Sequence, residues 1–99
     1  IQQLGELAFH DEGYFLLQGQ PLALTPREQA LLTVLMYRRL RPVSRQQLFE
    51  QVFSLSDEVS PESIELYIHR LRKKLQGSDV RIATLRGLGY VLERSDEVG

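Results

Sequence analysis

The sequence contains no cysteine, which excludes a disulfide framework and thiolate chemistry and leaves nothing that calls for an oxidising compartment. No apolar run is long enough to span a bilayer, and no segment is ordered like a secretion signal. There is no cluster of His, Cys, Asp and Glu at metal-ligand spacing and no phosphate-cradling loop. The two histidines, His10 and His69, lie in different segments with no nucleophile pattern near either. No enzyme activity, metal or cofactor is therefore expected. A net positive charge is missing as well, since Lys and Arg number 12 against 13 Asp and Glu, for a formal charge of −1. A near-neutral total, taken alone, speaks against a polyanionic partner.

What is present is enough to fold. A chain of 99 residues with 42% apolar side chains predicts one domain with one modest core. It starts at Ile1 rather than Met, so it is expected to be a piece of a longer protein. Its charge is segmental. Over 1–20 the charged residues are Glu6, Asp11 and Glu12, whereas 69–86 holds Arg70, Arg72, Lys73, Lys74, Arg81 and Arg86 against Asp79 alone. A local positive field of this kind is what releases counterions from a nucleic acid.

Taken in order, Gly5 to His10 and Tyr14 to Gln18 predict a hairpin closed by Asp11-Glu12-Gly13, and Pro21 to Leu24 an added edge strand. This small antiparallel sheet is expected to be structural. Thr25-Pro26-Arg27-Glu28 is a capping box with proline in the first turn, and Leu31, Leu32, Leu35 and Met36 form the main apolar face of the helix it opens. Ala30, Val34 and Tyr37 form a weaker second face, which either packs within the domain or docks a partner. Arg38, Arg39 and Arg41 suit the helix end, with Pro42 as the stop. Ser44-Arg45-Gln46-Gln47 opens a shorter helix with Leu48, Phe49, Val52 and Phe53 inward. A connecting loop is expected over 54–59, and a polar tail from 93 onward.

Between them lies the most informative stretch, a helix expected over 61–76. Ile64, Ile68, Leu71 and Leu75 recur at helical spacing as one apolar stripe. Leu66, His69, Arg70 and Lys73 lie on the opposite side, with Ser63 and Lys74 on one shoulder. Ser60 is expected to cap the helix and Pro61 to take its first position. A buried root with a basic, donor-rich outer edge is what a DNA groove accepts, although a charged edge also serves as a solvated face. Val80 to Leu85 and Tyr90 to Leu92 then form a hairpin over 80–92 around Arg86-Gly87-Leu88-Gly89, a candidate wing with Arg86 at its tip.

Five stretches in this order resemble the winged-helix effector domain of OmpR/PhoB-type response regulators. They are Leu24-Thr25-Pro26-Arg27-Glu28, Leu31-Leu32, Pro42-Val43-Ser44-Arg45, Ile64 to Leu75, and Leu85-Arg86-Gly87-Leu88-Gly89-Tyr90. The resemblance implies an α+β winged helix-turn-helix: an N-terminal antiparallel four-stranded sheet, a three-helix bundle and a C-terminal β-hairpin wing, with residues 1–99 as one domain. It also implies binding of double-stranded DNA at directly repeated half-sites, by head-to-tail dimers, with helix 61–76 in the major groove and the wing in the minor groove. Carried over position by position, Ser63, Leu66, Tyr67, His69, Arg70 and Lys73 lie at contact positions of the helix, and Thr84 and Arg86 at those of the wing.

Lys74 and Arg72 are added as phosphate contacts from their charge, Arg72 with the alternative of pairing Glu65 or another acid. The further partners implied are an N-terminal receiver domain phosphorylated by a histidine kinase, and RNA polymerase, in the cytoplasm and without a membrane. Three positions depart from the family pattern: Gln29 where an aromatic fills the core, Leu40 where glycine ends the first helix, and Glu62 at the edge of the recognition surface. The rival reading is a winged helix that binds protein and no DNA, since fold alone does not decide function.

Overall fold

The computed structural model describes residues 1–53 and 59–95. Most of the loop expected over 54–59 and the end of the tail expected from 93 fall on 54–58 and 96–99, outside the described residues.

Four short strands open the chain: β1 (Gln2–Leu4), β2 (Leu7–His10), β3 (Tyr14–Leu17) and β4 (Gln20–Pro21), paired antiparallel in sequence order. The expected hairpin is present, with Phe9 opposite Phe15 and Gly13 N–H closing the turn on the His10 carbonyl at 2.9 Å. Its start differs from expectation. Gly5 is not in a strand but in the β1–β2 turn at φ +53°, so the sheet gains Gln2–Leu4 as a separate strand. β4 covers Gln20–Pro21 rather than Pro21 to Leu24, and its last bond to β3 is the Leu22 N–H donating to the Phe15 carbonyl at 2.9 Å.

The helices follow as α1 (Pro26–Tyr37), α2 (Arg45–Val52) and α3 (Ser63–Leu75). Both capping boxes form as expected: Thr25 and Glu28 exchange bonds at the start of α1, Ser44 and Gln47 at the start of α2. The end of α1 departs from expectation. It stops at Tyr37, well before Pro42, and Leu40 reverses the chain in the left-handed region at φ +70°. Arg39 Nη1 donates to the Met36 carbonyl, which also receives the Arg39 N–H, and Arg41 Nη2 donates to the Tyr37 carbonyl at the helix end. Leu40 N–H donates to the Leu92 carbonyl at 2.9 Å, which holds the strained turn against the last strand.

α3 begins at Ser63, not at Pro61. Residues 60–65 form a tight entry in which Ser63, Ile64 and Glu65 N–H donate three residues back, and the helix receives no side-chain cap. Ser60 takes part through its carbonyl, which accepts from both the N–H and the hydroxyl of Ser63.

The chain closes with β5 (Val80–Leu85) and β6 (Gly89–Arg94), one antiparallel hairpin. β6 runs beyond the expected Leu92, so Glu93 and Arg94 are paired strand residues rather than tail. Val43 and Tyr90 exchange N–H···O bonds of 2.7 and 2.8 Å, making the α1–α2 connection a short third member of this sheet. One continuous core joins the three layers. Leu7 and Phe15 from the first sheet, Leu31, Leu32, Leu35 and Met36 from α1, Leu48 from α2, the α3 stripe and Leu92 are all buried.

Two backbone positions make opposite predictions. A Cβ on Gly89, at φ +118°, would lie 2.1 Å from the Val43 carbonyl oxygen. Gly89→Ala should therefore cost more than about 2 kcal/mol of stability. Leu40 is 55% exposed and carries a left-handed penalty of about 1–2 kcal/mol. Leu40→Gly should relieve it, offset by about 0.5–1 kcal/mol of extra chain entropy, for a net gain of about 0.5–1 kcal/mol. Urea unfolding of the two variants beside the parent checks both signs.

Candidate nucleic-acid interface

The interface is built on α3, and what holds α3 is apolar. Ile64, Ile68, Leu71 and Leu75 are 0–2% exposed. At about 1.5–3 kcal/mol for each fully buried aliphatic, the stripe outweighs any ion pair on this helix several-fold. Rotation about the helix axis is thereby excluded, and the outer face is decided. Leu66 is 47% exposed, and His69, Arg70 and Lys73 are exposed beside it. A leucine at the centre of a basic outer face is what contact with a thymine methyl requires.

Not every expected contact residue stands free on that face. Tyr67 is half-buried, with its ring packed on Phe53 at 5.8 Å, and the Arg70 guanidinium lies 5.5 Å above the same ring. Tyr67 thus serves as a platform for Arg70, at a distance where cation–π attraction operates. The Ser63 hydroxyl donates to the Ser60 carbonyl, which leaves its lone pairs as its remaining outward function. Thr84 and Arg86 are both exposed on the wing, and Arg86 sits in the four-residue turn closed by Leu88 N–H on the Leu85 carbonyl.

Lys74 requires correction. Its ammonium points away from the outer face, donating to the Ala23 carbonyl at 2.9 Å and to the Glu28 carboxylate. Glu28 is 2% exposed, and a carboxylate that deep demands a cation. Arg72 is also committed within the domain, to the Ile82 carbonyl and Thr84, and not to Glu65 as one alternative had it. The acid that Arg72 leaves is taken by α2: Arg45 Nη1 bonds Glu65 at 2.8 Å and its Nη2 lies 3.9 Å from Glu62. Glu62 is thus engaged. Its own backbone N–H, the Ser60 hydroxyl and Arg45 hold its carboxyl below the usual glutamate range. Gln29, the other departure in a helix, donates to the Gly13 carbonyl at 2.9 Å and ties the β2–β3 turn to α1.

Sequence reasoning missed the start of α2 as part of this surface. Ser44, Arg45 and Gln46 face Thr84, Leu85 and Arg86 across a groove of about 580 Å³, walled on its third side by Pro61 and Glu62 at the entry to α3. Only the capping box marked this segment, and nothing local signals that the wing folds back beside it.

The family model described as "Transcriptional regulatory protein, C terminal" matches residues 19–92. The chain belongs to this family, the effector domains of OmpR/PhoB-type response regulators. It is 94% identical over all 99 residues to the transcriptional regulatory protein TctD of Salmonella typhimurium, and it spans 44% of that protein's length. Among solved structures, the DNA-binding domain of CpxR from Escherichia coli superposes with a TM-score of 0.76 at 29% identity, covering 94% of this chain and 95% of that one. The C-terminal DNA-binding domain of RstA from Klebsiella pneumoniae gives a TM-score of 0.77 at 26% identity, covering 94% and 87%. The effector fold is therefore the one expected: sheet, three helices and wing. Among the described residues, no helix is long and apolar enough to cross a membrane, and no cluster of His, Asp and Glu could hold a metal ion.

The Glu28–Lys74 pair gives this effector domain a pH signature. Burial alone would raise the Glu28 carboxyl, but Lys74 and the Thr25 N–H outweigh it and hold the group below its ordinary value of 4.5. A depressed folded pKa stabilises fully above the unfolded value and is lost as pH falls through the folded one. Stability should therefore fall below about pH 4.5. Glu28→Gln should cost about 1–3 kcal/mol at neutral pH, a figure reduced because Lys74 is part-exposed, and should flatten the acid limb. Thermal unfolding across pH 3–7 reads both.

Proposed function

We propose that this domain binds double-stranded DNA sequence-specifically, with α3 in the major groove and the β5–β6 hairpin against the minor groove. The observation that carries the reading is the division of α3: four aliphatics buried at 0–2% on one side, Leu66 and Arg70 exposed on the other. Leu66 meets a thymine methyl. Arg70, steadied by Tyr67, forks onto guanine O6 and N7, a contact worth about 1–3 kcal/mol of discrimination. Lys73 and His69 hold phosphates, as does Thr84, while Arg86 enters the minor groove, where arginine is favoured when the groove is narrow. Ser63, whose proton goes to the Ser60 carbonyl, leaves the phosphate set. Lys74 leaves this set because Glu28 holds it.

Residues 1–99 act as one effector domain of a longer two-component regulator. Its N-terminal receiver domain, phosphorylated by a histidine kinase, promotes head-to-tail pairing on directly repeated half-sites in the cytoplasm, and RNA polymerase is the downstream partner. Family membership supports this reading, as do the relatives named as transcriptional regulators. A single module makes few phosphate contacts, so the isolated domain should bind weakly.

Titration of a fluorescent duplex at low and then moderate salt, with sites selected from a random pool, tests the proposal. Arg70→Ala should flatten preference at particular base pairs. Lys73→Ala should weaken all sequences alike and lower the salt slope by about one. Identical behaviour of the two variants would refute the division of roles, and no salt-dependent binding by the parent would favour the protein-binding alternative.

A further inference from the structure

The helix and the wing are joined by one side chain outside the proposed contact set. Arg72, in the last turn of α3, donates through Nε to the Ile82 carbonyl at 2.9 Å and through Nη2 to Thr84 Oγ1 at 2.8 Å. Both acceptors belong to β5, so one guanidinium reaches from the DNA-reading helix to the strand that leads into the wing tip. Its N–H groups sit in a rigid planar fork, so two simultaneous bonds fix a separation as well as a contact.

The second bond also acts on Thr84. A threonine hydroxyl has one proton and two lone pairs. A guanidinium has no acceptor, so the hydroxyl that receives it must direct its own proton elsewhere. Thr84 is exposed, and the direction left open is the outer surface. Donation from a cation into the oxygen also polarises the O–H and strengthens it as a donor.

We propose that Arg72 is a positioning residue for DNA binding: it sets the spacing between α3 and the wing, and it turns Thr84 into an oriented hydroxyl donor for a backbone phosphate, without itself touching DNA. This rests on the DNA-binding function proposed above. Arg72→Lys is the informative change, because it keeps the charge that a direct phosphate contact would need and removes the fork. Thr84→Val removes the hydroxyl at nearly constant shape, and Thr84→Ser restores it.

The experiment titrates one duplex with the parent, Arg72→Lys, Thr84→Val, Thr84→Ser and the Arg72→Lys/Thr84→Val double variant, with thermal unfolding of each. Arg72→Lys is expected to weaken binding about tenfold and Thr84→Val about fivefold, with the double variant no worse than about tenfold because the two act through one contact. Thr84→Ser should stay within about twofold of the parent. In the free parent domain, the Arg72 Nε proton should exchange slowly by NMR, a readout that holds even if a variant folds poorly. Full binding by Arg72→Lys, multiplied losses in the double variant, or a fast-exchanging Nε proton would each overturn the role. A parent that fails to bind any duplex would instead overturn the DNA reading, and this inference with it.

Discussion

Burial of the Ile64, Ile68, Leu71 and Leu75 stripe is the constraint on which the site depends. Once those four side chains are in the core, 100° per residue fixes where every other α3 side chain emerges. Leu66 and Arg70 face outward for that reason, and the Tyr67 ring then steadies the Arg70 guanidinium where the helix has put it. The cost of turning the helix would be the exposure of several aliphatics at about 1.5–3 kcal/mol each, more than surface charge can recover. Specific recognition needs such a rigid base, because a donor misplaced by a fraction of a hydrogen-bond length does not discriminate bases.

Polar contacts then place the other elements around α3. The reciprocal bonds of Val43 with Tyr90 hold the wing against the start of α2, and they require Gly89 because a side chain there would occupy the same space. At the opposite end, the N–H of Glu6 donates to the Asp79 carboxylate at 2.8 Å, and the N–H of Asp79 to the Glu6 carboxylate at 2.9 Å. This exchange locks the first sheet to the segment between α3 and β5. Each of these links joins residues far apart in the chain, which is why they register the elements while the apolar core only gathers them.

That distinction explains what the sequence made legible. Caps and periodicity are local, so both capping boxes, the α3 stripe and the wing strands could be read directly. Gln29 and Glu62 looked like costs because their partners, Gly13 and Arg45, come from other elements. Lys74 was misjudged for the same reason: helical geometry put it on a shoulder, and only the fold brings a buried Glu28 within its reach. The end of α1 was placed too late because Pro42 is a visible stop, whereas a left-handed leucine is not. The helical core of the site was legible, but the bracing by Arg72 and the α2 side of the groove were not.

The formal charge of −1 also resolves in three dimensions. Acids that would repel a phosphate backbone are paired within the domain: Glu28 with Lys74, Glu65 with Arg45, Glu93 with Arg81. Among the described residues, Lys73 and Arg86 have no such partner, and Arg70 rests on an aromatic ring that leaves its charge intact. Screening over about 8–10 Å in physiological salt means that a phosphate feels the charges nearest it rather than the total. A nearly neutral domain can therefore present a positive face, and the sum that first argued against a nucleic acid was taken over the wrong surface.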